Sequence, residues 1–310
     1  MAKQETPFIS SCRVRQFAAL AAALSPLIAG GALVAKEYGD WSTPVSAEIG
    51  SDVDLNTASN DGCPILSPDG LSLFMASNRP GSQNLDIWVA KRERTDEGWG
   101  KPERLPAPVN SATDDFCPTP VRGNRLFFVS RRDEANGDIY STRLTKDGWE
   151  MPVRLGPNIN GSAQEWSPSY FEDDQGRPVL YFSSTRSGRQ EIYASVNWGP
   201  AEKVAELSAD SSDAARPNVR RDGREIVFDS TRSPSLGGPD VWVATRPSTS
   251  ASWSAPQHLA GVSSAAADTR ASLSWDGTIM MVGSGRAGNE GPADIYVTRR
   301  PRLTGMGTKE

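Results

Sequence analysis

Histidine is almost missing from this chain: among 310 residues there is one, His258. It falls just after Trp253-x-x-Pro256, in a stretch that reads as an outer strand, so neither a His-dependent triad nor a zinc or manganese centre built from several imidazoles is expected. Cysteine is nearly as scarce, with only Cys12, Cys63 and Cys117. Positive charge is not clustered either: no basic run follows residue 36 and the net charge is −5, so the patch that phosphate backbones require is lacking and nucleic acid is no partner. The glycines sit in hairpin turns and form no phosphate-binding loop. What the chain does have is 28 glycines, 23 prolines and nine tryptophans in a 37% hydrophobic background, a composition that suits many short strands joined by turns.

The first 35 residues differ from the rest. Arg13 and Arg15 precede an apolar stretch from Phe17 to Ala35 that is broken by Pro26 and Gly30-Gly31 and ends in small residues. This layout fits a secretory signal peptide at 1–35, cleaved near Ala32 or Ala35, and the alternative is an uncleaved membrane anchor. The weak hydrophobicity of an Ala- and Gly-rich run favours cleavage. Residues 36–302 then form the folded domain and 303–310 a C-terminal tail, in a periplasmic or secreted monomer that touches membrane only through an uncleaved N-terminus.

From Ser67 to Arg92 the chain reads SPDGLSLFMASNRPGSQNLDIWVAKR, and this pattern recurs five times. Each copy carries a Ser-x-Arg step, at Ser77/Arg79, Ser130/Arg132, Ser184/Arg186, Ser230/Arg232 and Ser284/Arg286. Each step is followed by an acidic residue and strand formers, at Asp86, Asp138, Glu191, Asp240 and Asp294. An ion pair between that arginine and that carboxylate, closing the turn, is the expected use of the motif. Outer strands are marked by Trp-x-x-Pro at Trp41, Trp99, Trp149 and Trp253, with a looser copy at Trp198. Four short strands per repeat of roughly 50 residues predict an all-β, five-bladed β-propeller of four-stranded blades. The last copy lacks its outer strand and the first outer strand, at Trp41, lacks a blade, so the N-terminal strand should join the C-terminal blade and close the ring.

The Ser67–Arg92 stretch resembles the Pro-Asp-Gly type of WD-like repeat found in the C-terminal domain of TolB and in many exported bacterial proteins. The resemblance covers about residues 41 to 300 and implies a propeller in an exported, envelope-associated protein. Two turns depart from the pattern, Gly123-Asn124 and Glu172-Asp173-Asp174-Gln175-Gly176, and five repeats stand where TolB has six blades and an extra N-terminal domain.

In a propeller the innermost strands line the central channel, which directs attention to two rings of residues. The first is acidic: Asp61, Asp115, Glu165, Asp213 and Asp268. Such carboxylates either accept backbone N–H bonds in the turn that leads into each blade, or converge on the channel as acid and base or around a divalent cation. The second ring, just before the Pro/Ala position, is Cys63, Cys117, Ser167, Arg216 and Arg270, and it breaks the repeat symmetry. Cys63 and Cys117 either form a disulfide or pack as buried thiols. Arg216 and Arg270 either bind an anionic ligand group such as a carboxylate or neutralise the acidic ring. No cofactor is called for and no metal site is assigned. The expected function is an exported TolB-like propeller that presents its channel mouth and rim to a protein partner or a small anionic or saccharide ligand. The alternative is a carboxylate-dependent hydrolase, lyase or isomerase acting on a saccharide or small organic acid, with Asp61, Asp115, Glu165 and Asp268 as its catalytic candidates.

Overall fold

The computed structural model describes residue 1, residues 37–208 and residues 211–303. The signal peptide or anchor expected at 1–35, and nearly all of the tail, lie outside the described residues. Lys36–Glu310 forms one compact unit. No helix among the described residues is long and apolar enough to cross a membrane.

Five antiparallel sheets follow one another along the chain, as the repeat count predicts. Their inner strands are Asp61–Leu66, Asp115–Val121, Glu165–Glu172, Ala214–Val219 and Asp268–Leu273. In the first blade these are followed by Ser72–Ser77, Asp86–Lys91 and the two-residue outer strand Glu103–Arg104. The second blade carries an additional two-residue strand, Gly148–Trp149, on its third strand. Closure is as expected: Val45–Ser46 pairs antiparallel with Asp294–Arg299, the third strand of the last blade. The Asn56 side chain reinforces the join, accepting from Ile295 N at 2.7 Å and donating to Ile295 O at 3.2 Å. Asn110 and Asn160 make the same two-way bond to Ile87 and Ile139 at the next two junctions.

The core lies between blades. The second strand of each blade buries one large side chain at the same position, Met75, Phe128, Phe182, Phe228 or Val282, each without measurable exposure. Burying such a side chain is worth about 1.5–3 kcal/mol. Neighbouring sheets share these clusters, so that Phe171 and Tyr181 of blade three pack with Phe228, Trp242 and Trp253 of blade four.

The ion pairs that hold each blade differ from the expected ones. Arg79 does not pair with Asp86: its Nη2 lies 2.6 Å from Asp61 Oδ1, on the inner strand, while Ser77 Oγ donates to the same oxygen at 2.5 Å. Asp86 turns outward to Arg104 Nε at 2.6 Å. The reason is register. Asp86 sits opposite Ser77 in the ladder, where its carboxylate faces the outer strand, and the arginine two residues beyond the serine folds back towards the inner strand. Arg132–Asp115, Arg186–Glu165 and Arg286–Asp268 repeat the clamp at 2.8, 3.1 and 2.7 Å.

Among the described residues blade four lacks the carboxylate. Ala214, not Asp213, lies opposite Ser230 in the ladder, and Arg232 bonds Ser230 Oγ and the Leu207 carbonyl and packs over the Phe228 and Trp242 rings. Removing one partner of a buried pair strands the other charge, at a cost of about 3–5 kcal/mol. Arg286→Ala should lose that much in urea unfolding, whereas Arg232→Ala, with no carboxylate left behind, should lose only about 1–2 kcal/mol.

Candidate functional site

Every inner strand breaks its ladder at the same point. Pairing skips from Gly62 to Ile65, Phe116 to Thr119, Trp166 to Ser169, Ala215 to Asn218 and Thr269 to Ser272. Inside each break stands a non-glycine residue in the left-handed region: Cys63 at φ 49°, Cys117 at 48°, Ser167 at 54°, Arg216 at 52° and Arg270 at 58°. A bulge leaves one N–H without a ladder partner, which is why proline follows in four blades at no cost in bonding. It also re-aims the bulged side chain, and all five line a constriction of about 30 Å³ in the channel. The second ring foreseen from sequence is therefore assembled at one place.

The acidic ring is not in that space. Asp61, Asp115, Glu165 and Asp268 are fully buried and line neither the constriction nor the wide cavity beyond it. Each is saturated inside its own blade. Asp61 Oδ2 accepts from Thr57 N and Oγ1, both at 2.7 Å, and Oδ1 accepts from Ser77 and Arg79. Asp268 repeats this with Ser264, Ser284 and Arg286. Asp213 falls one residue out of register with the others and is exposed, its Oδ1 taking the Gln190 N–H at 3.2 Å. Among the described residues, no three His, Cys, Asp or Glu side chains are grouped to hold a metal ion.

The second ring is arranged asymmetrically. Cys63 and Cys117 form a disulfide across the seam between blades one and two, with Cα atoms 4.9 Å apart. Ser167 Oγ lies 3.3 Å from Cys117 Sγ. At four seams a side chain just past the bulge bonds the next blade's backbone. Thr119 and Ser272 donate to the Pro168 and Pro64 carbonyls, while Ser169 and Asn218 accept from Val219 N and Leu273 N. Blade one has Ile65 there, which cannot form such a bond, and that is the seam the disulfide closes.

On the opposite side, Arg216 makes a two-pronged pair with Asp229, Nε to Oδ1 and Nη2 to Oδ2, both at 2.8 Å. Asp229 also accepts the Arg270 backbone N–H at 3.0 Å. The Arg270 guanidinium has no carboxylate of its own among the described residues, and its Nε is buried without a partner. Burial, with the like charge of Arg216 beside it, pulls Arg270 down to about 10, which still leaves it protonated at neutral pH. Burial likewise raises Asp229 above the ordinary aspartate value, against the opposing pull of Arg216. Room for Arg270 comes from Gly62, where a Cβ would meet Nη1 at 3.2 Å.

Sequence reasoning missed two sets of residues. Asp229 occupies the position just before the repeated serine, where the other blades have Ala76, Val129, Ser183 and Gly283, and its lone charge was the available signal. The other set surrounds a vestibule of about 1390 Å³ at the Pro-Asp-Gly end of the channel, which shares Ile65, Thr119 and Asn218 with the constriction. Five residues beyond each bulge, Pro68, Arg122, Glu172, Arg221 and Trp275 form a third symmetry-breaking ring around it.

No protein-family model matches this chain, and no curated protein matches it in sequence. Solved structures do match in fold. A thermostable family-43 glycoside hydrolase aligns with TM-score 0.56 at 13% identity, over 81% of this chain and 92% of its own. A GH43 endo-arabinanase from Bacillus licheniformis gives 0.54 at 12%, over 83% and 97%. A putative TolB from Agrobacterium tumefaciens gives 0.50 at 15%, over 86% and 100%. The likeness is one of fold.

The disulfide encloses a long loop, its cysteines being 54 residues apart. Loop-closure entropy assigns such a crosslink about 4 kcal/mol. The Cys63→Ala/Cys117→Ala protein should melt correspondingly earlier, and reductant should lower the melting temperature of the native chain but not of the variant.

Proposed function

We propose that this protein is an exported binding propeller whose channel receives a small ligand through the vestibule and seats an acidic group of that ligand, such as a carboxylate, against Arg270. One observation carries the reading: a protonated guanidinium stands in a narrow channel with a buried Nε that has no bonding partner among the described residues. A desolvated cation without a counter-charge is costly, and an incoming anion removes that cost while gaining charge-assisted hydrogen bonds. Asp229 attracts Arg270 through space but gives its guanidinium no bond, because Arg216 already holds both of its oxygens, so the counter-charge is shared between two arginines. The Cys63–Cys117 disulfide supports work in an oxidising compartment, in line with the N-terminal segment.

The competing reading, an enzyme acting on a saccharide, draws on the fold likeness to family-43 glycoside hydrolases and on the carboxylates around the vestibule. The chemistry of the four aspartates among them favours binding. A general acid for glycoside cleavage needs a raised pKa. The vestibule aspartates are shifted the other way. Asp69 is lowered by the Ser67 hydroxyl, and at Asp173, Asp222 and Asp276 bonds from Arg177, Arg220 and Ser274 outweigh the opposing effect of burial.

Thermal-shift measurements with acetate, neutral sugars and calcium chloride test the assignment. Acetate at 100 times its dissociation constant should stabilise the protein by ~2.7 kcal/mol, and Arg270→Met should abolish the effect. A carboxylate shift of undiminished size in Arg270→Met rules the assignment out, and release of reducing ends from a polysaccharide moves the protein to the enzyme class. Gly62→Ala, which crowds the guanidinium, should weaken acetate binding without removing it.

A further inference from the structure

Resting on the reading of Arg270 as an anion site, we infer that the ligand is an extended molecule with two acidic groups, the second held at the vestibule by Arg122 and Arg221. These two arginines come from blades two and four, and both lie over the indole of Trp275 from blade five, with guanidinium carbons 4.9 and 5.0 Å from the ring centre. Blades two and five are not neighbours in the ring, so the Arg122–Trp275 contact reaches past blade one across the mouth. Blade one has its smallest contribution to the third ring there, Pro68.

Neither Arg122 nor Arg221 pairs with a carboxylate among the described residues, although both are exposed in a cavity where aspartates are available. Those aspartates are engaged by their own turns: Asp69 by Ser67 and Leu71 N, Asp276 by Ser274 and Thr278, and Asp222 by Arg220. These vestibule aspartates are thus engaged locally, Glu37 is paired with Arg220 and Arg302, and Glu172 of the same ring takes the Tyr170 hydroxyl; among the described residues the two guanidiniums are held by the aromatic face. Exposed cation–π contacts are weak, so an anion can draw the arginines off the ring.

The spacing follows from the strand. Each third-ring residue is five positions beyond its second-ring counterpart, as Trp275 is beyond Arg270 and Arg221 beyond Arg216. At about 3.3 Å per residue the two levels are roughly 15 Å apart, and the reach of the arginine side chains brings the two acidic groups of a bound ligand to roughly 10–15 Å. Between the levels the wall is formed by Ile65, Thr119, Ser169, Asn218 and Ser272, whose polar atoms are already used in the seams, so no third charge is called for.

Calorimetric titration of the full chain with acetate, nonanoate, succinate, azelate and dodecanedioate tests this. Linking two sites raises affinity only when the linker spans them. Azelate or dodecanedioate should bind about tenfold more tightly than nonanoate, and succinate should gain nothing over acetate. In Arg122→Ala/Arg221→Ala that advantage should vanish while acetate affinity at the Arg270 site stays unchanged, both residues lying on exposed turns outside the inner strands. Equal affinity for long diacid and monoacid, or an advantage that survives the double substitution, overturns the two-site inference and leaves the Arg270 site standing. Failure of every carboxylate to bind, acetate included, removes both.

Discussion

The bulge in each inner strand is the feature on which the channel depends. A residue with a Cβ is held at positive φ in every blade, at a cost of about 1–3 kcal/mol each. The ladder on either side and the proline that follows in four blades leave it no alternative. Because the bulge recurs in every blade, five side chains arrive at one level of the channel whatever their chemistry. The backbone is repetitive there while the side chains are not, so the fold supplies the geometry and the individual residues supply the function.

Charge is divided along the same line. Carboxylates and arginines that repeat are bonded to one another inside a blade, as Asp61 is to Arg79 and Asp86 to Arg104. Those that break the repeat face the channel, where Asp229 satisfies Arg216 and leaves Arg270 unmatched. The chain is acidic overall, yet its channel level carries an excess positive charge. That local excess is the physical basis of the anion site proposed for Arg270, and net charge alone points the other way.

The fold was legible because its signals are local. The Pro-Asp-Gly turns, the Ser-x-Arg steps and the Trp-x-x-Pro strands each act within a few residues, and the missing outer strand of the last repeat foretold closure by Val45–Ser46. The second ring was legible too, because positions that break a repeat stand out against those that keep it. Pairings were less legible. Arg79 has a carboxylate seven residues ahead and another eighteen behind, and only the direction in which each side chain leaves its strand selects Asp61 over Asp86. Asp213 was read as a ring member because it is the nearest acid, and one residue of register puts Ala214 there instead.

By itself, the sequence determined five blades, their order, the closing strand and the second-ring residues that depart from the repeat, since each of these follows from local pattern and count. Tertiary structure alone decided that the four clamp carboxylates are sealed within their blades, that Cys63 meets Cys117, that Asp229 takes Arg216 and not Arg270, and that Arg122 reaches Trp275 across the mouth. These outcomes depend on distances between residues far apart in the chain, and no spacing within one repeat encodes how five bulged strands share a narrow axis.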